Sequence, residues 1–437
     1  MNASSINIVI VGGGAGGLVL ATLLGRKLGK GGKAVVTLID HALTHVWKPL
    51  LHEIAAGTLT SDSDRVNYLS HAKEHHFRFV QGEMESLDRG DKTIWLAPML
   101  DEEGQEIVPR RPFTYDYLVI AVGSTANDFH IEGVKEHCVF LDDHYQADRL
   151  QQRLLRDFLR AQIQPDALGL GQLHIAIVGA GATGVELAAE LHRAARGLVA
   201  YGLDRIDPER DIHITLIEAA HKVLPALPPR LQNATDAQLK KLGIEVLTGE
   251  QVIRVNEDQI HLKSGKSIAA EIKVWCAGVR GPAFLEGLDG LERNHAHQLV
   301  VDETLRVAGS EDVFAIGDCA ACPQSGSDKP VPPRAQAAYQ QAYTLSKTLT
   351  RVITNQGQAQ RFAYKDYGSL ISLSYSAVGN LMGNLFGTIM IEGLLARLTY
   401  LSLYRKHQLA LHGLRWVIMN VVARLFMRGT QPELKLH

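Results

Sequence analysis

The chain has 437 residues, of which 46% are hydrophobic and 21% charged, and its formal net charge is −2. This length suggests two or three domains, because a single core stops growing at about 250–300 residues. The composition excludes a disordered or fibrous chain, and the small net charge excludes a general attraction to nucleic acid. The four cysteines are too few and too scattered for a disulfide framework, so a reducing, cytosolic setting fits best.

A dinucleotide-binding pattern opens the chain. The apolar run Ile6 to Val11 predicts a strand, and Gly12, Gly14 and Gly17 follow it at the G-x-G-x-x-G spacing. Asp40 ends the next predicted strand, "VVTLID". The glycines allow a tight turn, a close approach to a pyrophosphate and helix packing, while the acid accepts hydrogen bonds from ribose. An ordinary glycine-rich turn is the alternative, but strand, helix, second strand and acid together predict a dinucleotide site.

The same pattern of strand, glycine motif and strand-terminal acid recurs in the middle of the chain. Gly179, Gly181 and Gly184 follow a predicted strand from His174 to Val178, and Glu218 ends the matching second strand. Two such units imply two dinucleotides, so we expect a resident flavin and a nicotinamide. No arginine directly follows the acid, which favours NADH over NADPH because a 2′-phosphate would meet a carboxylate. Two basic residues a few positions further on weaken that preference.

Further segments predict buried strands and boundaries. Tyr115 to Thr125 and Ile272 to Gly278 are short apolar runs, and Asp318 ends a third, "DVFAIGDCA". The turn-rich stretches from Gln164 to Gln172 and from Cys322 to Pro333 are candidate boundaries. These features resemble the flavoproteins with two dinucleotide-binding domains, in which such an acid contacts FAD. The alternative for Asp318 is an acid in a strand-terminal turn.

The C-terminal region follows neither dinucleotide pattern. Ile371, Leu373, Tyr375 and Ala377 alternate with serines, which predicts a strand. The least charged windows of the chain are interrupted by glycines and polar residues, so we predict no transmembrane segment.

The segment from His412 to Phe426 is apolar and contains arginines. At 100° per residue, Asn420, Arg424 and Arg428 form a narrow polar stripe opposite a wide apolar arc, which another arginine interrupts near its start. The segment is too short to cross a bilayer, and it suits a helix lying in the interface with Trp416 at the headgroups. A domain-docking or dimer helix is the alternative.

The electrons of a reduced flavin need an acceptor, and the sequence offers no internal one. No cysteine pair follows the first acid, where disulfide reductases carry theirs. Cys319 and Cys322 form a C-x-x-C directly behind Asp318, and we interpret them as packing residues in preference to a redox pair. The nineteen histidines are dispersed and show no metal-site spacing. A soluble carrier or a quinone is therefore expected.

Four motifs in separate regions, "WKPLLHE", "GATGVELAAELH", "AIGDCA" and "PPRAQAAYQQA", together resemble bacterial type II NADH dehydrogenase, the single-subunit NADH:quinone oxidoreductase. The resemblance runs nearly end to end. It implies an α/β fold with two Rossmann-like domains, an FAD domain with an inserted NADH domain, and a C-terminal strand and helix region that associates with the membrane. The expected boundaries are 1–165 and 276–363 for FAD, 166–275 for NADH and 364–437 for the C-terminal region.

The resemblance also assigns roles to residues. It places Gln336 and Gln340 in the quinone site beside the flavin; amides at i and i+4 share one helix side and can donate to a quinone oxygen. Solvated helix residues are the alternative. It places Glu186 near nicotinamide and flavin, with a part in proton movement; an acid that favours the helix dipole is the alternative. The expected cofactor-binding residues are Gly12, Gly14, Gly17, Asp40, Lys48, Gly123, Gly179, Gly181, Gly184, Glu218, Gly278, Asp318 and Ala335.

The expected reaction passes a hydride from NADH to FAD and then electrons to ubiquinone or menaquinone. No proton translocation is expected, because no membrane-spanning path is predicted. The protein should lie on the cytoplasmic face of the inner (plasma) membrane, bound to lipid through its C-terminal helix, with homodimer formation open. The competing hypotheses are a sulfide:quinone oxidoreductase, a soluble ferredoxin or rubredoxin reductase, and a non-catalytic redox sensor.

Overall fold

The computed structural model describes residues 5–59, 65–324, 326–327, 329–374, 376–383, 387–427 and 434. The chain forms two compact units, each assembled from separate stretches of sequence. Unit 1 comprises Met1–Trp47, Asp64–Thr125 and Val279–Lys365, and unit 2 comprises Lys48–Ser63, Ala126–Gly278 and Asp366–His437. The four-part domain division expected from the sequence stays a prediction.

The helices of the described residues include long and very short ones. The α-helices are α1 (Gly17–Leu24), α2 (Leu51–Ala55), α3 (Tyr68–His75), α4 (Val134–His137), α5 (His144–Ile163), α6 (Ala182–Ala200), α7 (Pro229–Lys241), α8 (Ala335–Ile353), α9 (Gly393–His412) and α10 (Leu414–Met427). Other helical turns cover Gly25–Gly29, Lys48–Leu50, Ala283–Gly287 and Gly317–Cys319.

The strands of the described residues are mostly short. They are β1 (Ile6–Val11), β2 (Ala34–Asp40), β3 (Thr44–His45), β4 (Val66–Asn67), β5 (Arg78–Gln81), β6 (Met84–Asp88), β7 (Thr93–Leu96), β8 (Met99–Leu100), β9 (Glu106–Val108), β10 (Arg111–Thr114), β11 (Tyr117–Ile120), β12 (Thr125–Ala126), β13 (Val139–Phe140), β14 (His174–Val178), β15 (His213–Glu218), β16 (Glu245–Thr248), β17 (Val252–Val255), β18 (Gln259–Leu262), β19 (Ser267–Ala269), β20 (Ile272–Trp275), β21 (Val279–Arg280), β22 (Leu299–Val300), β23 (Val313–Ala315), β24 (Ala320–Ala321), β25 (Gly368–Leu373), β26 (Ser376–Gly383) and β27 (Gly387–Glu392).

Unit 1 is built on a parallel five-stranded sheet in the order β23-β11-β1-β2-β5. β1 lies in its centre, with Ile10 opposite Leu38 on one side and Val119 on the other. Its last four residues are buried, as expected for a central strand covered on both faces. β1 coincides with the strand predicted at Ile6 to Val11.

Unit 2 repeats this arrangement with the order β13-β20-β14-β15-β16, again with all pairs parallel. β14 holds the central position and coincides with the strand predicted from His174 to Val178. α6 follows β14 and buries a long apolar face, which includes Val185, Leu187 and Leu191. The expected α/β fold with two Rossmann-like sheets is therefore correct.

The C-terminal part of unit 2 differs in detail from the sequence expectation. The single strand predicted from Ile371 to Ala377 is wrong: β25 ends at Leu373, Ser374 takes a left-handed φ of 63°, and β26 returns antiparallel. Tyr375, which belonged to that prediction, lies outside the described residues. The serine-rich alternation therefore spans a hairpin, because a period of two continues on both sides of a tight turn.

Two helices follow the hairpin. The segment from His412 to Phe426, which was expected to form an interfacial helix, contains the last residue of α9 at His412, a turn at Gly413 with a φ of 83°, and α10 up to Phe426. Asn420 of α10 accepts a hydrogen bond from Arg405 of α9 at 2.8 Å. Arg428 of the predicted stripe lies outside the described residues. Among the described residues, no helix is both long enough and apolar enough to span a membrane.

Candidate functional site

The first glycine cradle lies in unit 1, at the carboxyl end of β1. Gly12 has a φ of 99°, and a Cβ there would collide with the Ala121 carbonyl oxygen. A Cβ on Gly17 would collide with the Gly12 carbonyl oxygen, so both positions accept only glycine. A Cβ on Gly14 would meet nothing within 4 Å. The space before the α1 N-terminus is therefore open on the ligand side, as a pyrophosphate requires.

Asp40 closes this cradle from the end of β2. Its Oδ2 accepts a hydrogen bond from the Gly13 N–H at 2.6 Å, and its Oδ1 accepts one from the Ala42 N–H at 2.9 Å. The Gly13 carbonyl in turn accepts a hydrogen bond from the Tyr68 hydroxyl at 2.8 Å, and the ring Nδ1 of His45 lies 2.9 Å from it. Tyr68 is buried, and burial raises the pKa of its phenol well above its usual range. The side chains of His45 on β3 and Tyr68 on α3 thus hold the backbone of Gly13 in place.

The second cradle, in unit 2, reproduces the first atom by atom. Gly179 has a φ of 102°, a Cβ on Gly184 would collide with the Gly179 carbonyl oxygen, and the position of Gly181 is open. Glu218 Oε2 accepts from the Ala180 N–H at 2.8 Å, and its Oε1 accepts from the Ala220 N–H at 2.8 Å. In both units, therefore, the acid at the end of the second strand accepts one hydrogen bond from the glycine loop and one from the turn that follows the acid.

Both cradles fit a dinucleotide. Each acidic oxygen uses one lone pair on a backbone N–H and keeps another for a ribose hydroxyl. In unit 2 the lysine that follows the acid is not directed at it: the Lys222 amine donates to Asn233 Oδ1 at 3.1 Å.

Asp318 lies in the helical turn Gly317–Cys319 of unit 1. Its Oδ2 accepts from the Ser124 hydroxyl at 2.9 Å, and its backbone carbonyl accepts from the Gln298 amide at 2.8 Å. Gly123, just before that serine, has a φ of 73°, and a Cβ there would meet nothing within 4 Å. Asp318 is thus held after β23 by contacts from separate parts of unit 1.

The two amides expected at the quinone occupy different environments on α8. Gln336, in the first turn, is half-buried. Gln340 hydrogen-bonds to the backbone of Lys365, which follows the helix in sequence. Its Nε2 donates to the Lys365 carbonyl at 2.9 Å, and its Oε1 accepts from the Lys365 N–H at 3.1 Å. The neighbouring Gln341 is buried, and its Oε1 accepts from the Gly317 N–H at 2.7 Å. Ala335 begins the helix.

Glu186 forms the centre of a buried polar cluster in unit 2. Its Oε1 accepts from the Ser372 N–H of β25 at 2.9 Å, and its Oε2 lies 3.8 Å from Nδ1 of His52 on α2. Burial, reinforced by the negative charges of Glu53 and Glu190, raises the pKa of Glu186 to about 8. Its carboxyl is therefore protonated at neutral pH and can hold a proton ready for transfer.

Two further residues that were expected to bind a cofactor belong to unit 2. Gly278 has a φ of 67°, and a Cβ there would press on the Phe129 ring. Lys48 lies near Asp142; burial raises the pKa of that acid, and the positive charge of Lys48 acts against the rise. Asp142 also accepts from the Ala126 N–H at 2.8 Å.

The cysteines are unsuited to thiol chemistry. Cys319 and Cys322 are both buried, and burial raises the pKa of each thiol to about 12. Cys319 donates to the carbonyls of Ile316 and Ile120, at 3.3 and 3.5 Å. A buried, protonated thiol is a poor nucleophile, which supports the interpretation as packing residues. Among the described residues, no group of three or more His, Cys, Asp or Glu side chains is arranged to hold a metal ion.

Comparison with known proteins decides which class of two-dinucleotide protein this is. Residues 6–342 match the pyridine nucleotide-disulphide oxidoreductase family. A Haemophilus influenzae protein named type II NADH:quinone oxidoreductase is 43% identical over 446 residues, which cover 99% of this chain and 100% of the relative. The chain belongs to the type II NADH:quinone oxidoreductase family. A Staphylococcus aureus member with the same name is 30% identical over 86% of this chain and 90% of its own length.

Solved structures agree with this family in fold. NDH2 from Plasmodium falciparum, solved in complex with NADH, matches with a TM-score of 0.83 and 23% identity, over 99% of this chain and 100% of that one. The sulfide:quinone oxidoreductase of Aquifex aeolicus matches with a TM-score of 0.72 and 17% identity, over 97% and 96% of the two chains. Type II NADH:quinone oxidoreductases thus share their fold with the rival class considered above.

Sequence reasoning missed several residues that build the site. His52 and Ser372 contact Glu186, Tyr68 fixes the first glycine loop, and Gln341 holds the turn of Asp318. His52 stands in the motif "WKPLLHE" that carried the resemblance, so a signal for it existed. Ser372 contributes its backbone N–H, so the identity of its side chain gives no indication of the contact.

Proposed function

We propose that the protein oxidises NADH and reduces a quinone through a bound FAD. The observation that carries the proposal is the pair of glycine cradles with matching acid geometry, in a chain of this family whose Cys319 and Cys322 are buried as protonated thiols. When bound, FAD accepts a hydride from NADH and gives up two electrons to the quinone. The chain itself binds, orients and supplies protons.

We assign FAD to unit 1 and NADH to unit 2. Asp318 belongs to the same unit as the first cradle, which supports a single extended site for a flavin dinucleotide, with Gly123 and Ala335 as further contacts. Lys48 and Gly278 are proposed cofactor contacts of unit 2. Glu218 keeps its carboxylate toward the ribose, and its negative charge opposes a 2′-phosphate. NADH is therefore the proposed donor.

We further propose that the α8 amides orient the quinone. Gln336 donates to a quinone oxygen as that oxygen gains charge. Gln340 uses one N–H and one lone pair on Lys365, which leaves it a second N–H for the quinone. Ubiquinone and menaquinone both offer the carbonyl that this chemistry needs.

Glu186 is the proposed proton donor. A hydride brings two electrons and one proton, so the formation of a quinol consumes one more proton from solvent. Glu186 is protonated at neutral pH because its pKa is raised to about 8, and its Ser372 hydrogen bond steadies the carboxylate that remains after transfer.

We also propose that α10 attaches the protein to the cytoplasmic face of the plasma membrane as a peripheral protein, without proton pumping. Large apolar side chains of α10 are exposed, among them Met419 at 72% and Phe426 at 84%, whereas Asn420 faces Arg405 of α9. An exposed apolar helix face suits a lipid surface. A homodimer would cover the same face and is the alternative.

Purified protein with NADH and ubiquinone-1 tests the function. We expect quinone-dependent NADH oxidation well above the rate with free FAD, and no oxidation of sulfide. A rate no higher than that of free FAD would contradict the proposal, and sulfide-dependent quinone reduction would favour the rival class.

A further inference from the structure

We propose that Phe129 binds and positions the nicotinamide half of NADH, which packs on its ring at the carboxyl end of β20. This inference rests on the proposed function and deepens it, because it adds a side chain to the NADH site proposed for unit 2. Phe129, Gly278 and the second glycine cradle all belong to that unit.

The ring of Phe129 lies directly on Gly278, the glycine that follows β20. A Cβ on Gly278 would collide with the ring, so only a glycine leaves room for this contact. The preceding residue, Ala277, touches the cradle, because a Cβ on Gly179 would come within 2.7 Å of its N atom. The ring of Phe129 is therefore one residue away from the glycine loop that is proposed to hold the pyrophosphate.

The segment that carries Phe129 is bonded to the end of β20. The Asn127 N–H donates to the Gly278 carbonyl at 3.3 Å, and the Asn127 carbonyl accepts from the indole N–H of buried Trp275 at 2.8 Å. The side-chain oxygen of Asn127 accepts from the Phe129 N–H at 2.9 Å. These bonds hold the backbone of Phe129 against the strand end.

Burial in the core does not explain the conformation of Phe129. Its φ is 50° and that of His130 is 55°, so two consecutive residues other than glycine take the left-handed conformation. This conformation is unfavourable for a bulky L side chain. Phe129 nevertheless remains 52% exposed, so burial of the ring offsets little of the strain. Strained backbone that presents a side chain beside a binding cradle indicates a ligand contact.

The strand order of unit 2 indicates which half of NADH meets the ring. β15, with Glu218 at its end, lies on one side of β14, and β20 lies on the other. A dinucleotide straddles the central strand, with its pyrophosphate at the glycine loop and its adenosine ribose at the acid. The nicotinamide half therefore runs over the end of β20, where Gly278 and Phe129 lie.

The ring supplies shape and excludes water. A phenyl group has no hydrogen-bonding atom, so it holds the nicotinamide nucleoside by apolar contact with its flat face. The adenosine half is held by Glu218, on the far side of β14. Because different residues hold the two halves, ligands that contain one half or both distinguish their contributions.

The test compares Phe129→Ala and Phe129→Tyr with wild type, each purified with bound FAD. The probes are NADH and, as a competitive inhibitor, ADP-ribose, which keeps the adenosine half and lacks nicotinamide. We expect Phe129→Ala to raise KM for NADH about tenfold, while the inhibition constant of ADP-ribose stays within about twofold of wild type. Phe129→Tyr keeps the ring and should stay within about twofold in both values.

Tyr201→Ala is the matched control. Tyr201 is 54% exposed, and it ends α6 at the opposite end from the cradle. This variant should follow wild type with both probes. The quinone step is a second control: flavin reduced with dithionite should reduce ubiquinone-1 at the wild-type rate in every variant, because this step does not use the nicotinamide.

Phe129→Gly separates NADH binding from folding. Glycine tolerates the left-handed φ at this position, so Phe129→Gly should unfold at a temperature equal to or above that of Phe129→Ala. It should show the same rise in KM for NADH, since it also lacks the ring, and it carries the comparison if Phe129→Ala does not fold. A purely structural role would restore NADH binding together with stability.

Three outcomes would overturn the inference: an unchanged KM for NADH in Phe129→Ala and Phe129→Gly, equal rises in that KM and in the inhibition constant of ADP-ribose, or a normal KM in Phe129→Gly alone. Wild type that oxidises no NADH would instead overturn the proposed function.

Discussion

Glu186 is the residue whose charge the fold constrains most clearly. It lies one helical turn from Glu190 on α6, with His52 of α2 and the Ser372 N–H around it. Since its pKa is raised to about 8 from an ordinary 4.5, the folded protein binds this proton more tightly than the unfolded chain. Stability therefore falls as the pH rises from 4.5 to about 8 and stays lower above.

Glu186→Gln should remove that penalty. The amide keeps an oxygen for the Ser372 N–H and has no charge to bury. We expect the thermal unfolding midpoint of the variant to match wild type near pH 5 and to exceed it by several degrees at pH 9, since each pKa unit corresponds to about 1.4 kcal/mol. In activity, wild type should lose quinone-coupled turnover above pH 8, whereas the variant should be slow at every pH.

Glu209→Gln is the control, because that side chain is 71% exposed and pairs with Arg196 at the surface. Its unfolding midpoint should follow wild type at both pH values. If Glu186→Gln is less stable than wild type at pH 9, the carboxyl is not buried in its neutral form.

Glu218 sets the choice of nicotinamide dinucleotide. Glu218→Ser removes the charge that opposes a 2′-phosphate, together with the acceptor of the Ala180 N–H, so kcat/KM with NADPH should rise at least tenfold and that with NADH should fall. Steady-state rates with both donors measure this. Asp40→Ser, the matched change in the other cradle, should lower FAD content without improving NADPH use. Equal changes for both donors in Glu218→Ser would contradict the argument.

At the scale of elements, the sequence predicted what local chemistry determines. β1 and β14 begin and end where expected, because buried apolar runs between glycine loops leave few other conformations. The hairpin after Leu373 was missed, since alternation continues through a tight turn. The division between α9 and α10 was not predicted, because His412 fits either helix and only the φ of Gly413 separates them.

The residues of the candidate site likewise separate into those that the local sequence predicts and those that it does not. Gly12, Gly179 and the two strand-end acids follow from spacing, since each has a local backbone partner. The environment of Glu186 does not, because α2, α6 and β25 are far apart in sequence and meet only in the folded unit. Gln340 shows how far spacing can predict a site. Spacing correctly placed Gln340 on a face of α8, but it could not predict the bonds to Lys365, which lies beyond the helix.

For the whole molecule, we propose that α10 determines where the enzyme works. A buried large apolar side chain is worth about 1.5–3 kcal/mol, whereas a basic residue near an anionic surface adds about 1 kcal/mol. Apolar burial should therefore dominate attachment, so high salt should leave the protein on membranes and detergent should release it. Deleting Gly413 to His437 should make it soluble, but Leu434 is buried against Gly197, so the deletion also removes packing within unit 2.

A double substitution separates attachment from folding. Met419→Gln with Phe426→Gln changes two exposed side chains of α10 and leaves the contact of Asn420 with Arg405 in place. The variant should leave the membrane and react more slowly with long-tailed quinones, while its rate with ubiquinone-1 stays within twofold, because a short quinone reaches the site through water. Asn420→Ala, on the inward side, should stay on the membrane. Release of wild type by salt alone, or a loss of dimer in place of lipid binding, would assign the apolar face to a second copy of the chain.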